Sequence, residues 1–166
     1  MYKRSGFTIV ELLVAMTVLV ILATITTFQV GKTMENARDA ERTNDVASLA
    51  RRLEQAYTAQ ELGSPSYPST TQLAVNIGSL DGAVARLDAE VFQAPDTEHN
   101  SVIMAETKWP STPLQDRAIT VDDYVYQPLA SDGTLCTGTV TCVRFFLFYK
   151  LEVNETIITI KSIHQQ

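Results

Sequence analysis

The block from Phe7 to Val30 is almost wholly apolar and carries a single charged side chain, Glu11. About 20 such residues span a bilayer as an α-helix, and the stretch from Phe7 to Thr27 has that length. The segment must be kept from water, either in lipid or against other apolar surface. Lys3 and Arg4 lie just before the run, whereas the first basic residue after it is Lys32. The positive-inside rule therefore places the N-terminus in the cytoplasm and the C-terminal portion outside. A secretory signal has a shorter apolar core followed by a small-x-small cleavage site. Leu22 to Val30 offers no Ala-x-Ala pattern, so the run reads as retained. A plain single-pass anchor meets the same length and hydropathy.

Over 166 residues with 45% apolar content, the chain holds one folded head plus this extra element. The formal net charge is −6, and loss of the first six residues, with Lys3 and Arg4, leaves −8. An acidic exported part disfavours general affinity for phosphate backbones, and no specific nucleic-acid site is evident. No Ser-His-Asp or Cys-His grouping, P-loop or Gly-rich dinucleotide turn is present, so neither catalysis nor a cofactor is expected.

Glu11 sits four residues into the apolar run. A carboxylate near the centre of a span costs on the order of 2.5 to 3.5 kcal/mol, and less near an end, so it usually marks a partner. Snorkelling to the cytoplasmic interface, or protonation, accounts for an isolated residue equally well.

Lys3-Arg4-Ser5-Gly6 followed by Phe7-Thr8-Ile9-Val10-Glu11-Leu12-Leu13-Val14-Ala15 resembles the processing site of type IV pilins and pseudopilins. The resemblance is specific over Lys3 to Thr27 and architectural beyond it. It implies that a membrane-embedded prepilin peptidase cuts after Gly6 and methylates the new amino terminus at Phe7, leaving the apolar helix in place. It also implies that Glu11 of one subunit neutralises the terminal amine of its neighbour during assembly. Such a pair need not stabilise strongly, but leaving either member unpaired is expensive, so its role is register. The expected organisation is a leader over residues 1–6, a transmembrane and assembly helix over 7–30, and an exported globular domain over 31–166. Expected partners are further copies of the chain, the peptidase, the assembly machinery and the membrane. The subunit is expected in the cytoplasmic membrane before assembly and in an extracellular filament afterwards. A pseudopilin of a type II secretion system or competence pseudopilus shares this N-terminus. A monomeric membrane-anchored binding module is the alternative from another class.

From Lys32 to Leu62 helical character persists, with Val46, Leu49, Ala50, Leu53 and Tyr57 on one face. If Phe7 to Leu62 is one helix, it is roughly 80 Å long, far more than a small domain is wide, and half of it must project. Glu35, Arg38, Asp39, Glu41, Arg42, Asp45, Arg51, Arg52 and Glu54 fall mostly elsewhere and read as a solvated face. Gly63 suits the position just past the helix end, and Pro65 and Pro68 bar continuation. Short helices are expected over Thr70 to Asn76 and Ala83 to Phe92, and a loop over Pro95 to Ser101, with Val102 to Pro113 ambiguous. Three strands follow, Val121 to Leu129, Val140 to Leu151 and Thr156 to Ile163. The expected fold is α+β: a long helix covering a three-stranded antiparallel meander, the ladle of the pilin family.

Cys136 and Cys142 are expected to pair in an exported location, across a turn at Thr137-Gly138-Thr139. His99 and His164 read as exposed loop and terminal residues. Asp122, Asp123 and Asp132 fit no defined calcium loop, and no metal is assigned.

Overall fold

The computed structural model describes residues 7–79, 89–106 and 119–164. One helix, α1 (Ile9–Thr58), opens the chain. The chain forms two units, Met1–Ala37 and Arg38–Gln166. In the first, the large apolar side chains from Phe7 to Leu22, with Ile25, Val30 and Met34, are exposed. Within this stretch Thr17 Oγ1 donates to the Val14 carbonyl (2.8 Å) and Thr24 Oγ1 to that of Val20 (2.7 Å). The hydroxyls are thus satisfied by the helix's own backbone, which makes threonine tolerable in an apolar medium.

The second unit is α+β with pilin-like architecture. Val46, Leu49, Ala50, Leu53 and Tyr57 are all buried, as their spacing predicts. They pack on a four-stranded sheet of order β1-β2-β3-β4, made of β1 (Val102–Met104), β2 (Tyr124–Leu129), β3 (Arg144–Lys150) and β4 (Ile157–Lys161). Strands β2 to β4 are the expected antiparallel meander, whereas β1 adds a parallel edge that sequence reading left ambiguous. Three residues are too few for a period-2 pattern to register. Tyr124, Tyr126, Phe145, Leu147 and Tyr149 share the face toward α1. Val125 and Phe148 meet Ala105 and Ile119 on the other face, so both sides of β2 are buried, and β3 is covered there in part.

The C-terminal end of α1 differs in detail from expectation. The Gln60 N–H bonds to the Tyr57 carbonyl and that of Glu61 to Ala56 (3.2 and 3.1 Å), a Schellman closure with Gln60 at the left-handed position (φ 54°). Gly63 (φ 82°) instead makes a second turn, its N–H bonding to the Gln60 carbonyl. The left-handed conformation costs about 1 kcal/mol at the non-glycine Gln60. Arg52 holds the next residue, Glu61, at 2.6 Å.

Helix α2 (Thr70–Ser79) runs past the expected Asn76. Its start is a reciprocal capping box, in which Ser69 Oγ accepts from the Gln72 N–H and Gln72 Oε1 from the Ser69 N–H. Most of the expected Ala83 to Phe92 helix lies outside the described residues, and its described end is a 3-10 turn, Ala89–Phe92.

The polar face of α1 is the main correction. Asp39 and Arg42, expected in solvent, are 8% and 2% exposed. Asp39 accepts the backbone N–H groups of Glu152 (2.7 Å) and Val153 (3.0 Å) and a guanidinium N–H of Arg42 (2.9 Å). Arg42 Nε also donates to the Val121 carbonyl (2.9 Å), and Arg38 binds Glu152 through two N–H groups. The helix-neighbour spacing of Asp39 and Arg42 is real, but the pair serves the β3–β4 turn. Hydrogen bonds from Arg38, reinforced by Arg42, hold the Glu152 carboxyl below the usual carboxylate range.

Candidate processing and assembly site

Gly6 lies outside the described residues. Phe7 and Thr8 precede α1 and are exposed. Thr8 is the N-cap: its carbonyl accepts the Leu12 N–H (3.2 Å), and its Oγ1 accepts the Glu11 N–H (3.3 Å). Glu11 thereby occupies the third helical position of a Thr-x-x-Glu box, where the helix dipole favours a negative charge. Sequence reading missed this local role, although the Thr-x-x-Glu pattern was there to find. Among the described residues, the Glu11 carboxylate meets no cation and lies on an exposed apolar helix. Phe7 lies four residues before it in sequence, ahead of the helix start. The arrangement presents one carboxylate near the start of a rod whose exposed side chains are almost all apolar.

In the second unit, Cys136 and Cys142 form a disulfide with Cα atoms 5.9 Å apart. Gly138 (φ 66°) allows the tight reversal between them. The clipped loop grips the segment after α1. The Cys142 carbonyl accepts the Tyr67 N–H (2.9 Å), that of Cys136 accepts the Thr70 N–H (3.1 Å), and Ser69 Oγ donates to the Gly138 carbonyl (2.6 Å).

His99 lies exposed in its loop, as expected. His164 does not stand alone. Its Nδ1 is 2.9 Å from Glu54 Oε2 and 3.3 Å from the Tyr67 hydroxyl, and its ring stacks on Tyr57 at 4.5 Å. Asp123 takes the N–H and hydroxyl of Thr120, and Asp132 those of Thr134, so both organise turns.

α1 is long and apolar enough at its N-terminal end to cross a membrane. Residues 1–27 match the family described as the prokaryotic N-terminal methylation motif. Neither a curated protein nor a solved structure matches the chain. The motif implies processing by a prepilin peptidase, and together with the apolar helix it fits membrane anchoring and pilus assembly. Across residues 1–27 the chain carries the class III leader of type IV pilins and pseudopilins.

Proposed function

We propose that this chain is a structural subunit of a type IV pilus, cut after Gly6, N-methylated on Phe7 and polymerised into a surface filament that serves adhesion, motility or DNA uptake. In this reading residues 1–6 are the leader, 7–30 the membrane and assembly helix, and 31–166 the exported domain. The carrying observation is an apolar stretch at the start of α1, exposed from Phe7 to Ile25, whose one carboxylate, Glu11, meets no cation among the described residues. Outside lipid such a surface needs cover, and identical apolar helices supply it. Cleavage creates a cationic amine at Phe7, the counter-charge a neighbouring Glu11 requires. Apolar packing provides most of the adhesion, while the ion pair selects one axial offset, because a misplaced subunit leaves a buried charge unanswered. The subunit works by assembly and needs no catalytic residue.

Glu11→Ala tests this reading. The variant should accumulate in the membrane at wild-type level while the yield of sheared surface fibres falls at least about tenfold, the consequence of about 1.4 kcal/mol or more lost per contact. Fibres at wild-type yield would remove the pairing role of Glu11.

A further inference from the structure

Among the described residues β4 is the last strand of the sheet, and its outer side is open. The Ser162 N–H bonds to the Phe145 carbonyl (3.1 Å) and the Leu151 N–H to the Thr156 carbonyl (2.9 Å), so the even-numbered residues of this segment bond to β3. The odd-numbered Ile157, Thr159 and Lys161 therefore turn their N–H and C=O groups outward, and each can exchange two hydrogen bonds with an added antiparallel strand. Natural edges are blunted by prolines, bulges or charges. Here the register with β3 runs without a bulge, the strand holds no proline, and its one charge, Lys161, stands at the end. Beside this edge, on the flank of α1, lies a groove of about 430 Å³ lined by Ala47, Ala50, Ile160 and Ile163 and flanked by the exposed Arg51 and Lys161. The two alanines leave room over the helix, and Ile163 is 79% exposed. Among the described residues neither cation meets a carboxylate: Arg51 bonds to Ser48 Oγ (2.8 Å), and Lys161 lies over Phe146, 6.0 Å from the ring centre. The carboxylate in the groove, Glu54, is already engaged, Oε1 by the Ile163 N–H (2.7 Å) and Oε2 by the Tyr67 hydroxyl (2.8 Å) and His164 (2.9 Å).

We propose that the β4 edge and this groove bind an extended peptide segment of another protein, added to the sheet as a further strand. Ile158 and Ile160 face α1, whereas Ile157 faces the opposite side of the sheet. A strand laid along β4 alternates in the same way and lowers every second side chain toward α1, into the groove. The segment that fits has apolar residues at those alternate positions and an acidic residue beside Arg51 or Lys161. Main-chain bonds to Ile157, Thr159 and Lys161 hold any extended segment, while the apolar groove and its two cations select among them. The whole site belongs to the second unit, so it does not depend on cleavage of the leader or on polymerisation.

The test is fluorescence anisotropy of a labelled nonapeptide that alternates valine with threonine and carries glutamate at both ends, titrated with the full-length subunit in detergent micelles. Binding should be saturable and at least about tenfold tighter than that of the same peptide with proline at its central threonine, which removes a main-chain donor. Amide exchange at Ile157, Thr159 and Lys161 should slow when the peptide binds. Thr159→Pro removes an outward donor and no bond to β3, and Ala47→Phe fills the groove from the helix without touching the strand. Each should weaken binding at least about tenfold, with the Ile158 and Ile160 amides still protected as a check on the fold. Arg51→Glu should shift the preference to a peptide with lysine at its ends. The proposal is overturned by a lack of saturable binding to the wild-type chain, or by unchanged affinity in Ala47→Phe. Protection of the three outward amides in the peptide-free subunit also overturns it, because the edge is then covered by the chain itself or, if protection rises with concentration, by a second copy.

Discussion

Asp39 on α1 accepts the backbone N–H of Glu152 at 2.7 Å, joining two residues 113 positions apart. The same carboxylate takes the Val153 N–H and one Arg42 N–H, so a single side chain neutralises a buried guanidinium and closes the β3–β4 turn. Asp39→Ala leaves the Glu152 and Val153 N–H groups without an acceptor and Arg42 with the Glu152 carboxylate alone. The expected loss is about 3 kcal/mol of stability, because two backbone donors lose their acceptor and a buried cation loses one of its two carboxylates. Urea unfolding of the detergent-solubilised chain checks it. A loss under about 0.5 kcal/mol, the range of an ordinary surface site, would return Asp39 to the solvated face.

How much of this was legible in the sequence depends on how far apart the interacting residues lie. The apolar run, the buried stripe from Val46 to Tyr57 and the β2–β4 meander announce themselves locally, because their periodicities repeat over several residues. The clasp around Asp39 does not. An Asp and an Arg three apart look the same whether they face water or a turn a hundred residues onward. His164 escaped for the same reason, since its partner Glu54 lies 110 positions earlier. At the candidate site, the residue types from Gly6 to Glu11 were readable. The Thr8 cap, which gives Glu11 a local stabilising role beside the intersubunit one proposed for it, needed the helix start to be located.

Asp45 gives a pH-dependent prediction. Burial, then the nearby Glu41, pushes its carboxyl from 3.8 up to about 6; Glu90 adds to the shift, and the Tyr124 hydrogen bond opposes it. A raised carboxyl favours the folded state while it is protonated. That contribution is complete below about pH 3.8 and is lost as the pH rises through about 6. Asp45→Asn is neutral throughout and keeps an acceptor for Tyr124. Its melting temperature should therefore exceed that of the wild-type chain at neutral pH, with the gap closing in acid. A gap independent of pH would contradict the assignment.

The disulfide closes a short loop, so its effect should be modest. Replacing Cys136 and Cys142 together by serine should cost about 2 to 3 kcal/mol. Because the Cys136 and Cys142 carbonyls anchor Thr70 and Tyr67, exchange should rise first at those two amides. Thermal unfolding with amide exchange checks both statements, and unchanged protection at Tyr67 and Thr70 would separate the loop from the segment it grips.

The central claim is that the apolar helix is released from a leader and begins with a charged amine beside Glu11. Intact-mass and N-terminal peptide analysis of the subunit recovered from the cell envelope tests it most directly. The account predicts a chain starting at N-methylated Phe7; a chain still carrying Met1 to Gly6 would contradict it.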